Sequence, residues 1–201
     1  MIICLANSKG GQGKSTAAIH LAAFFQKQAA TLLVDSDHVR ASLAWGREGK
    51  LPFDVVDESD QEAAMRRRRY DHVVLDTPGS IDPHGLKELA AGCNLMVLPA
   101  IPEAIAMDGL AYTLHHLKDT KADCRVLLNR VRHNRPKEAI ELRAALDAMG
   151  AKVFKAEIPD LAAFDKAAAQ GVVVYDVNDP RALRAWDAFE TLGEEILYGR
   201  E

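Results

Sequence analysis

A glycine-rich segment near the start of the chain, residues 8–16, limits the possible folds more than any other feature. It reads Ser-Lys-Gly-Gly-Gln-Gly-Lys-Ser-Thr and lies between an apolar run at residues 2–6 and a helical pattern at residues 17–25. Closely spaced glycines let backbone N–H groups surround anionic oxygens, and the N-terminal end of the following helix adds positive potential. Strand, loop and helix in this order predict a phosphate-binding loop. The alternative is a glycine-rich turn that carries two lysines by chance.

Two side chains of the loop are predicted to act directly on a nucleotide. Lys14 follows the last glycine and can reach the β- and γ-phosphates, and Ser15 can place its hydroxyl on Mg²⁺. The usual pattern has a glycine at the position of Ser8, whereas this chain has an extra lysine, Lys9, before its glycine pair. The predicted nucleotide contacts in the loop are Gly10, Gly11, Gln12, Gly13, Lys14, Ser15 and Thr16.

The composition is typical of a globular chain with one core. Its 201 residues are 48% apolar and carry a formal charge of −4, which neither indicates nor excludes a local nucleic-acid-binding face. The three cysteines, Cys4, Cys93 and Cys124, are too scattered for a disulfide framework or a zinc site, so we expect a cytoplasmic protein. No apolar run is long enough to span a bilayer.

Apolar runs and helical patterns alternate along the chain. The predicted strands lie at residues 2–6, 31–34, 53–56, 72–75, 94–98, 125–128 and 152–158. The predicted helices lie near residues 14–28, 58–69, 84–91, 103–118, 136–149 and 180–198. Because the strands are continuous Val, Leu and Ile runs, we expect both faces of the sheet to be covered. We therefore predict one α/β domain over residues 1–201, with a doubly wound, mostly parallel sheet and helices on both faces.

Aspartates follow two of the predicted strands, at the edge where parallel sheets bind their ligands. Asp35 and Asp37 come after the second strand, and Asp76 ends another strongly apolar one. A carboxylate beside a phosphate loop can hold Mg²⁺ directly or through water, so Asp35, Asp76 and Ser15 are the candidate metal residues. Asp37 can instead orient the water that attacks the γ-phosphate. Each aspartate could also be a helix cap, for a short helix starting near His38 in the case of Asp37.

These motifs together resemble the ParA/MinD family of deviant-Walker ATPases over the whole chain. Residues 9–16 match the family's K-G-G-x-G-K-S/T-S/T loop, and residues 35–37 stand where the family has D-x-D. Residues 70–78 resemble its stretch Y-D-x-V/I-V/I-V/I/L-D-x-P/A. The resemblance implies a P-loop NTPase fold and an ATPase that uses ATP and Mg²⁺.

The same resemblance implies a role for each charged residue of the site. Lys9 would reach across a two-fold axis to the phosphates of the partner's ATP, so that ATP is sandwiched in a homodimer. Lys14 would hold the phosphates, Asp37 would position the hydrolytic water and Asp76 would hold the Mg²⁺ shell. Lys9, Lys14 and Asp37 are therefore the catalytic candidates.

Residues later in the chain resemble the family's base-binding segments. Asn129 and Arg130 follow a strand like the adenine-contacting N-K/R pair, and Pro159 stands where the family's I-P segment flanks the base. One departure concerns the segment after D-x-D, where the family often continues with Pro-Gln and this chain has His38 and Val39. The resemblance therefore does not fix the geometry of that segment.

Within the family, the chain resembles the small partition ATPases that lack an N-terminal DNA-binding domain, and the related ATPases that position carboxysomes and other cargo. These proteins bind nonspecific DNA as ATP dimers, and a small ParB-like adaptor protein on the cargo stimulates hydrolysis. The resemblance thus implies association with the nucleoid in the ATP-bound state. The tail at residues 187–201 is acidic, so we expect no binding to anionic lipid.

A basic cluster after the strand at residues 125–128 is the candidate DNA surface. Its members could bind phosphates without sequence preference, and the alternative is a solvated loop and helix face. The cluster consists of Arg132, Arg135, Lys137 and Arg143. The denser basic run at residues 66–69 ends a predicted helix, where arginines also complement the helix dipole.

Two other classes of protein share this type of fold and loop. A biosynthetic ligase of the dethiobiotin or cobyrinate amide synthetase type needs a pocket for an organic acid or amine, and the sequence offers no clear set of residues for one. An iron–sulfur carrier needs paired cysteines at a dimer axis, whereas Cys93 and Cys124 are predicted to pack in the core.

Overall fold

The computed structural model describes residues 1–103 and 106–199, which form a seven-stranded sheet with helices on both faces. The strands are β1 (Ile2–Leu5), β2 (Thr31–Asp35), β3 (Asp54–Asp57), β4 (His72–Asp76), β5 (Leu95–Ala100), β6 (Cys124–Val131) and β7 (Val153–Pro159). Their order is β3-β2-β4-β1-β5-β6-β7, and each neighbouring pair is parallel. The predicted doubly wound α/β fold is confirmed, with parallel pairing throughout this sheet.

Eight α-helices lie within the described ranges. They are α1 (Lys14–Gln26), α2 (Ala41–Gly46), α3 (Gln61–Arg67), α4 (Pro83–Gly92), α5 (Ala106–Leu117), α6 (Pro136–Ala148), α7 (Ala162–Gln170) and α8 (Ala182–Tyr198). Ala104 and Ile105, at the start of the predicted helix 103–118, lie outside the described residues. None of the helices in this part of the chain is long and apolar enough to cross a bilayer.

Two of these helices were missing from the sequence prediction, and a third is shorter than predicted. Helix α2 has only six residues, and α7 buries only Ala163, Phe164 and Ala167, so neither shows a long apolar stripe. The predicted helix at residues 58–69 is instead a 3₁₀ turn at Glu58–Asp60 followed by α3. Short elements carry too few periodic positions to stand out in a sequence.

The sheet separates two main apolar cores, because successive side chains of each strand point to opposite faces. In β1, Ile3 and Leu5 join the core under α1, α7 and α8, whereas Cys4 joins the core under α4, α5 and α6. The first core also contains the fully buried rings of Phe25 and Phe189. This double coverage accounts for the continuous apolar runs in the strands.

Helix α1, which begins at the phosphate loop, is buried on nearly every side. Its alanines allow close contact with the sheet, and Gly193 of α8 lies against the ring of Phe24, where a β-carbon would overlap the ring. His20 lies fully buried in the middle of this helix and stacks on Phe189 with ring centroids 4.9 Å apart. The phosphate loop is thus attached to a helix that the surrounding core encloses.

The His20 ring is held by two hydrogen bonds that fix its tautomer. Its Nδ1 lies 2.7 Å from the Thr16 carbonyl oxygen, and its Nε2 accepts a hydrogen bond of 3.1 Å from the Val174 backbone N–H. A carbonyl can only accept, so Nδ1 carries the proton and the ring is neutral. Burial lowers the pKa of His20 to about 4.

Strand β7 lies at one edge of the sheet, and side chains from α6 and α8 form hydrogen bonds with its backbone N–H and C=O groups. The Glu195 carboxylate accepts hydrogen bonds of 2.9 Å from the N–H groups of Lys155 and Ala156. The Arg143 guanidinium donates to the Phe154 carbonyl oxygen at 3.0 Å and to Glu157 at 2.8 Å. These contacts fasten both helices to the outer strand.

The register of the central strands brings three aspartates to one edge of the sheet. Asp35 of β2 is paired with Asp76 of β4 on one side and with Asp57 of β3 on the other. Asp76 is in turn paired with Leu5, the last residue of β1, from which the phosphate loop continues. The carboxylates predicted from the sequence therefore lie beside the loop.

Candidate nucleotide-binding site

The phosphate loop requires glycine at two positions. Gly11 and Gly13 have φ angles of 77° and 79°, in the left-handed region that glycine adopts without strain. A β-carbon at Gly13 would also overlap the Asn129 side chain. Because α1 begins at Lys14, the N-terminal end of the helix opens directly onto the loop.

The middle of the loop is tied to the ends of β5 and β6. The Gln12 side-chain oxygen accepts a hydrogen bond of 3.0 Å from the Ile101 N–H, and the Gln12 carbonyl accepts one of 2.8 Å from the Asn129 side chain. Gln12 was predicted as a nucleotide contact, and the structure uses its side chain to hold the loop. Of the Gln12 groups, the backbone N–H is the one suited to donate to a phosphate oxygen.

The beginning of the loop is fastened to α5. The Ser8 hydroxyl donates to the Gly109 carbonyl at 2.7 Å, and the Lys9 N–H donates to the Asn7 side chain at 3.0 Å. A β-carbon at Gly109 would lie 3.3 Å from the Ser8 hydroxyl oxygen, so the glycine allows this close approach. The reach of Lys9 across a dimer axis stays a prediction.

Lys14 lies inside the pocket with only 6% of its surface exposed. Burial lowers its pKa, while the carboxylates of Asp76 and Asp37 act in the opposite direction. The segment after β4 also approaches closely, because a β-carbon at Gly79 would lie 3.6 Å from the Lys14 ammonium and 3.1 Å from the Gly10 α-carbon. The ammonium is thus enclosed where the sequence motif expects phosphate.

Asp76 has the properties of a metal-shell carboxylate. It is fully buried, and its Oδ2 accepts a 2.7 Å hydrogen bond from the Ser42 hydroxyl, while Ser15 also bonds to this carboxylate. Its Oδ1 is buried without a hydrogen-bond partner among the described residues. Burial raises the pKa of Asp76 to about 6. A free buried carboxylate oxygen beside a serine hydroxyl fits Mg²⁺, which takes oxygen ligands and retains water.

The remaining side chains near Asp76 do not form an all-protein metal cage. No group of three or more His, Cys, Asp or Glu side chains suited to a metal occurs in the described ranges. Mg²⁺ bound through one or two protein oxygens and substrate phosphates needs no such cage.

Asp35 has contacts that the sequence did not predict, because both of its carboxylate oxygens bind backbone groups. It is fully buried, its Oδ1 accepts from the Asp37 N–H at 3.0 Å, and its Oδ2 accepts from the Leu43 N–H at 2.9 Å. Both oxygens are therefore engaged by the backbone. This carboxylate therefore shapes the segment between β2 and α2, and the metal role of Asp35 stays a prediction.

Asp37 faces the phosphate loop across a pocket of about 790 Å³. Its Oδ1 accepts a hydrogen bond of 3.0 Å from the Val39 N–H, as in a capping turn, and this leaves Oδ2 for the pocket. The pocket is lined by Gly10, Gly11, Gly13, Lys14, Ser15, Thr16, Asp37, His38, Val39, Ala41, Pro78, Gly79 and Ser80. The structure thus brings the loop and Asp37 into one cavity.

A second, smaller cavity of about 80 Å³ adjoins the loop beyond Thr16. It is lined by Gly13, Thr16, Asn129, Arg130, Ile158, Pro159, Asp160, Leu161, Phe164 and Asp165. The Asn129 side chain accepts from the Arg130 N–H at 3.0 Å, and the Arg130 guanidinium pairs with Asp160 at 3.2 Å. The three residues predicted to contact the base, Asn129, Arg130 and Pro159, therefore lie together beside the phosphate loop.

The residues of the candidate DNA cluster are mostly paired with carboxylates. Arg132 contacts Glu103 at 2.8 Å, and Arg135 contacts Glu138 at 3.1 Å, whereas the Lys137 side chain is exposed. Arg143 fastens α6 to β7 through Phe154 and Glu157, and a DNA contact of this residue stays a prediction.

Comparison with known proteins identifies the family. Residues 3–174 match the model of the CbiA family, described as the CobQ/CobB/MinD/ParA nucleotide binding domain. The chain belongs to this family. The matched residues of the CobQ/CobB/MinD/ParA domain include both cavities, and α8 follows the matched region.

Individual relatives and structures match over nearly the whole chain. Maintenance of carboxysome distribution protein A from Gloeobacter kilaueensis is 30% identical, and the match covers 97% of this chain and 93% of the relative. MinD from Aquifex aeolicus has a TM-score of 0.76 at 17% identity, covering 100% of this chain and 97% of that structure. MinD from Pyrococcus horikoshii, complexed with Mg-ADP, has a TM-score of 0.68 at 20% identity and covers 97% and 95%. Both structures share the fold.

In this CobQ/CobB/MinD/ParA domain, sequence reasoning missed three residues that build the site. Ser42 donates to Asp76 from α2, Asn7 holds the start of the phosphate loop, and Arg40 closes the segment after Asp37. Asn7 directly follows the first apolar run, and that position was the available signal. Ser42 lies in α2, which is too short to show a helical pattern, and Arg40 directly precedes this helix, so no sequence signal marked either residue.

Proposed function

We propose that this chain is an ATPase that positions a cargo through nucleotide-dependent dimerisation on nonspecific DNA. The observation that carries the proposal is the 30% identity to a carboxysome distribution protein over 97% of this chain. The second lysine of the loop, Lys9, supports it, because the ParA/MinD resemblance gives that residue its place in a dimer. The cargo is a plasmid, a chromosomal locus or a protein compartment.

In the proposed reaction, the phosphate loop and Lys14 hold the phosphates of ATP, and the cavity lined by Asn129 and Pro159 takes the base. Ser15 and Asp76 would hold Mg²⁺, which supplies charge stabilisation at the phosphates. The buried, partnerless Oδ1 of Asp76 supports this assignment. The Lys14 ammonium, already taken out of water, interacts strongly with phosphate charge in this enclosed site.

Hydrolysis is assigned to two further groups. Asp37 orients the attacking water through the carboxylate oxygen that its own turn does not use. Lys9 of the partner subunit adds positive charge where negative charge develops during phosphoryl transfer. Loss of the γ-phosphate contacts then releases the dimer, so hydrolysis limits the time that the dimer spends on DNA.

DNA binding is assigned to the exposed part of the basic cluster at the start of α6, with Arg135 and Lys137 as its main contacts. Exposed cations bind backbone phosphates without sequence preference and release counterions, so the binding weakens as salt rises. A small ParB-like adaptor on the cargo would accelerate hydrolysis, and the ATP-bound dimer would be associated with the nucleoid.

The test measures ATP turnover and DNA retention of the full chain. We expect slow turnover that nonspecific duplex DNA stimulates, and no nucleotide binding in Lys14→Ala. Arg135→Glu combined with Lys137→Glu should lower DNA retention by about tenfold, since two cations become two anions. A matched control is Arg66→Glu combined with Arg67→Glu, in the basic run of α3, which should retain DNA binding.

Other results would contradict parts of the proposal. Turnover that requires a small organic acid or amine would favour the ligase. If the α3 control lost DNA retention and the α6 variant kept it, the DNA-binding surface would be assigned to α3. Unchanged ATP affinity in Lys14→Ala would remove the phosphate-loop assignment itself.

A further inference from the structure

The segment between β2 and α2, residues 36–40, is a closed turn built around Asp37. The Asp37 N–H donates to Asp35 Oδ1 at 3.0 Å, and the Val39 N–H donates to Asp37 Oδ1 at 3.0 Å. The Arg40 N–H donates to the Asp37 carbonyl at 2.9 Å and completes the turn. The direction of the Asp37 carboxylate therefore depends on how firmly this turn is held.

Arg40, the last residue of the turn, has an unusual backbone conformation. Its φ and ψ angles are 57° and 37°, in the left-handed region that disfavours a residue with a β-carbon. Its carbonyl accepts from the Ala44 N–H at 2.9 Å and starts α2. Such a conformation persists only where surrounding contacts determine it, and it often accompanies a functional constraint.

The Arg40 side chain supplies those contacts. Its Nη1 pairs with the Asp57 carboxylate and donates to the Asp35 carbonyl oxygen at 3.3 Å. Asp57 is itself fixed, because its other oxygen accepts from the N–H and hydroxyl of Ser59 at 2.9 and 2.8 Å. Since Asp35 and Asp57 are paired in register, one guanidinium bridges the ends of two adjacent strands.

We infer that Arg40 is a positioning residue, which through Asp57 holds the turn that presents Asp37 to the nucleotide. The inference rests on the proposed function, in which Asp37 orients the attacking water. The turn has His38 and Val39 at its centre and contains no proline that would restrict its backbone. The ion pair therefore has to hold the conformation of the turn. Misalignment of a reacting group lowers the rate of reaction, whereas the phosphate loop continues to bind nucleotide.

The solvent exposure of the Arg40–Asp57 ion pair distinguishes a positioning role in catalysis from a role in folding stability alone. The side chains of Arg40 and Asp57 are 43% and 23% exposed, and ion pairs at this exposure contribute little to folding stability. Breaking the pair should therefore change turnover far more than it changes the melting temperature.

The experiment compares kcat, nucleotide affinity and thermal stability in the full chain. Arg40→Gln and Asp57→Asn should each lower kcat by about tenfold, with ADP affinity within about twofold of wild type. The double variant should be no slower than either single one, because both changes remove the same contact. Arg40→Gly should melt no lower than wild type, since glycine tolerates the positive φ, but it should be slow as well.

A matched control is Glu190→Gln, which removes an exposed ion pair to Lys27. Lys27 directly follows the C-terminal end of α1, whereas the phosphate loop precedes its N-terminal end. It should leave kcat unchanged. Wild-type kcat in Arg40→Gln and Asp57→Asn would overturn the inference, and so would a joint fall of stability and turnover in Arg40→Gly. A wild-type chain without ATP hydrolysis, with DNA and Mg²⁺ present, would instead overturn the proposed function.

Discussion

At the scale of single residues, the site contains a carboxylate whose burial costs folding free energy. The pKa of Asp76 is raised by burial from 3.8 to about 6, so the folded state holds its proton more tightly than the unfolded chain does. Stability contributed by the protonated form is therefore lost as the pH rises through this window. By about 1.4 kcal/mol per pKa unit, the charged form costs about 3 kcal/mol at neutral pH.

Asp76→Asn should consequently stabilise the chain without nucleotide while it impairs function. At pH 8 we expect a higher melting temperature than wild type, with a gain of up to about 3 kcal/mol that shrinks toward pH 4. Mg²⁺-dependent turnover should be lost because the proposed metal shell loses its carboxylate. Thermal unfolding at both pH values and an ATPase assay provide the measurements.

The control for this prediction is Asp119→Asn, which changes an exposed aspartate outside the site. It should alter neither melting temperature nor turnover. A lower melting temperature of Asp76→Asn at pH 8, at unchanged fold, would show that the carboxylate stabilises the chain.

At the scale of elements, helix α1 connects the phosphate loop to the distant 3₁₀ turn at Val174–Asp176. The connection is the neutral His20 ring, bonded to the Thr16 carbonyl and to the Val174 N–H. A second proton on this ring would break the bond at Nε2, since that nitrogen would become a donor facing a donor. The core contact therefore depends on neutrality of a single imidazole.

The pH dependence of unfolding should reveal His20. Its pKa is about 4 in the fold against an ordinary value of 6.5, so the unfolded chain takes up the proton first as the pH falls. The contribution of neutral His20 to stability is complete above pH 6.5, and it decreases between pH 6.5 and 4 by about 3 kcal/mol. His20→Asn should lose less stability over this window than wild type does, as measured by chemical denaturation at several pH values.

The exposed His84 gives the comparison, since its side chain is 81% exposed and its replacement removes an imidazole that is not buried. His84→Asn should follow the wild-type pH profile. Because Asp76 acts in the opposite direction between pH 4 and 6, each variant is compared with wild type at the same pH. Parallel profiles for His20→Asn and wild type would refute the assignment.

The sequence predicted the seven strands and most of the helices, and it missed α2 and α7. Continuous apolar strands and the glycine-rich loop carry strong local signals, and β1, the loop and α1 were found accordingly. The roles of Asp35 and Arg143 could not be predicted, because each depends on backbone groups that only tertiary pairing brings near. Residue type alone indicated a metal ligand and a DNA contact, and it gave no indication of the backbone contacts that the fold adds to both residues.

At the scale of the whole molecule, the nucleotide pocket opens on the surface that carries the start of the phosphate loop. Gly10 and Gly11 are exposed there, as are His38 and Val39 on the opposite rim. Val39 is 78% exposed. We expect this rim to meet its two-fold copy in the proposed ATP dimer.

Lys9→Ala tests that assembly. With a nonhydrolysable ATP analogue, the wild-type chain should change from 22.0 kDa to twice that mass in solution, whereas the variant should remain monomeric. Nucleotide affinity of the monomer should be retained, because Lys14 stays in place. Light scattering after size-exclusion chromatography measures the mass, and an ATP-bound dimer of Lys9→Ala would contradict the cross-subunit role.

The β7 margin of the sheet has a consequence for how copies of the chain can associate. Glu195 and Arg143 occupy the hydrogen-bonding groups at Phe154, Lys155 and Ala156 that an incoming extended chain would need. Unprotected margins invite edge-to-edge aggregation and cross-β growth. Copies of the chain at high local concentration are therefore protected from irreversible aggregation through this strand, and in the proposed function their association is left to surfaces that a nucleotide controls.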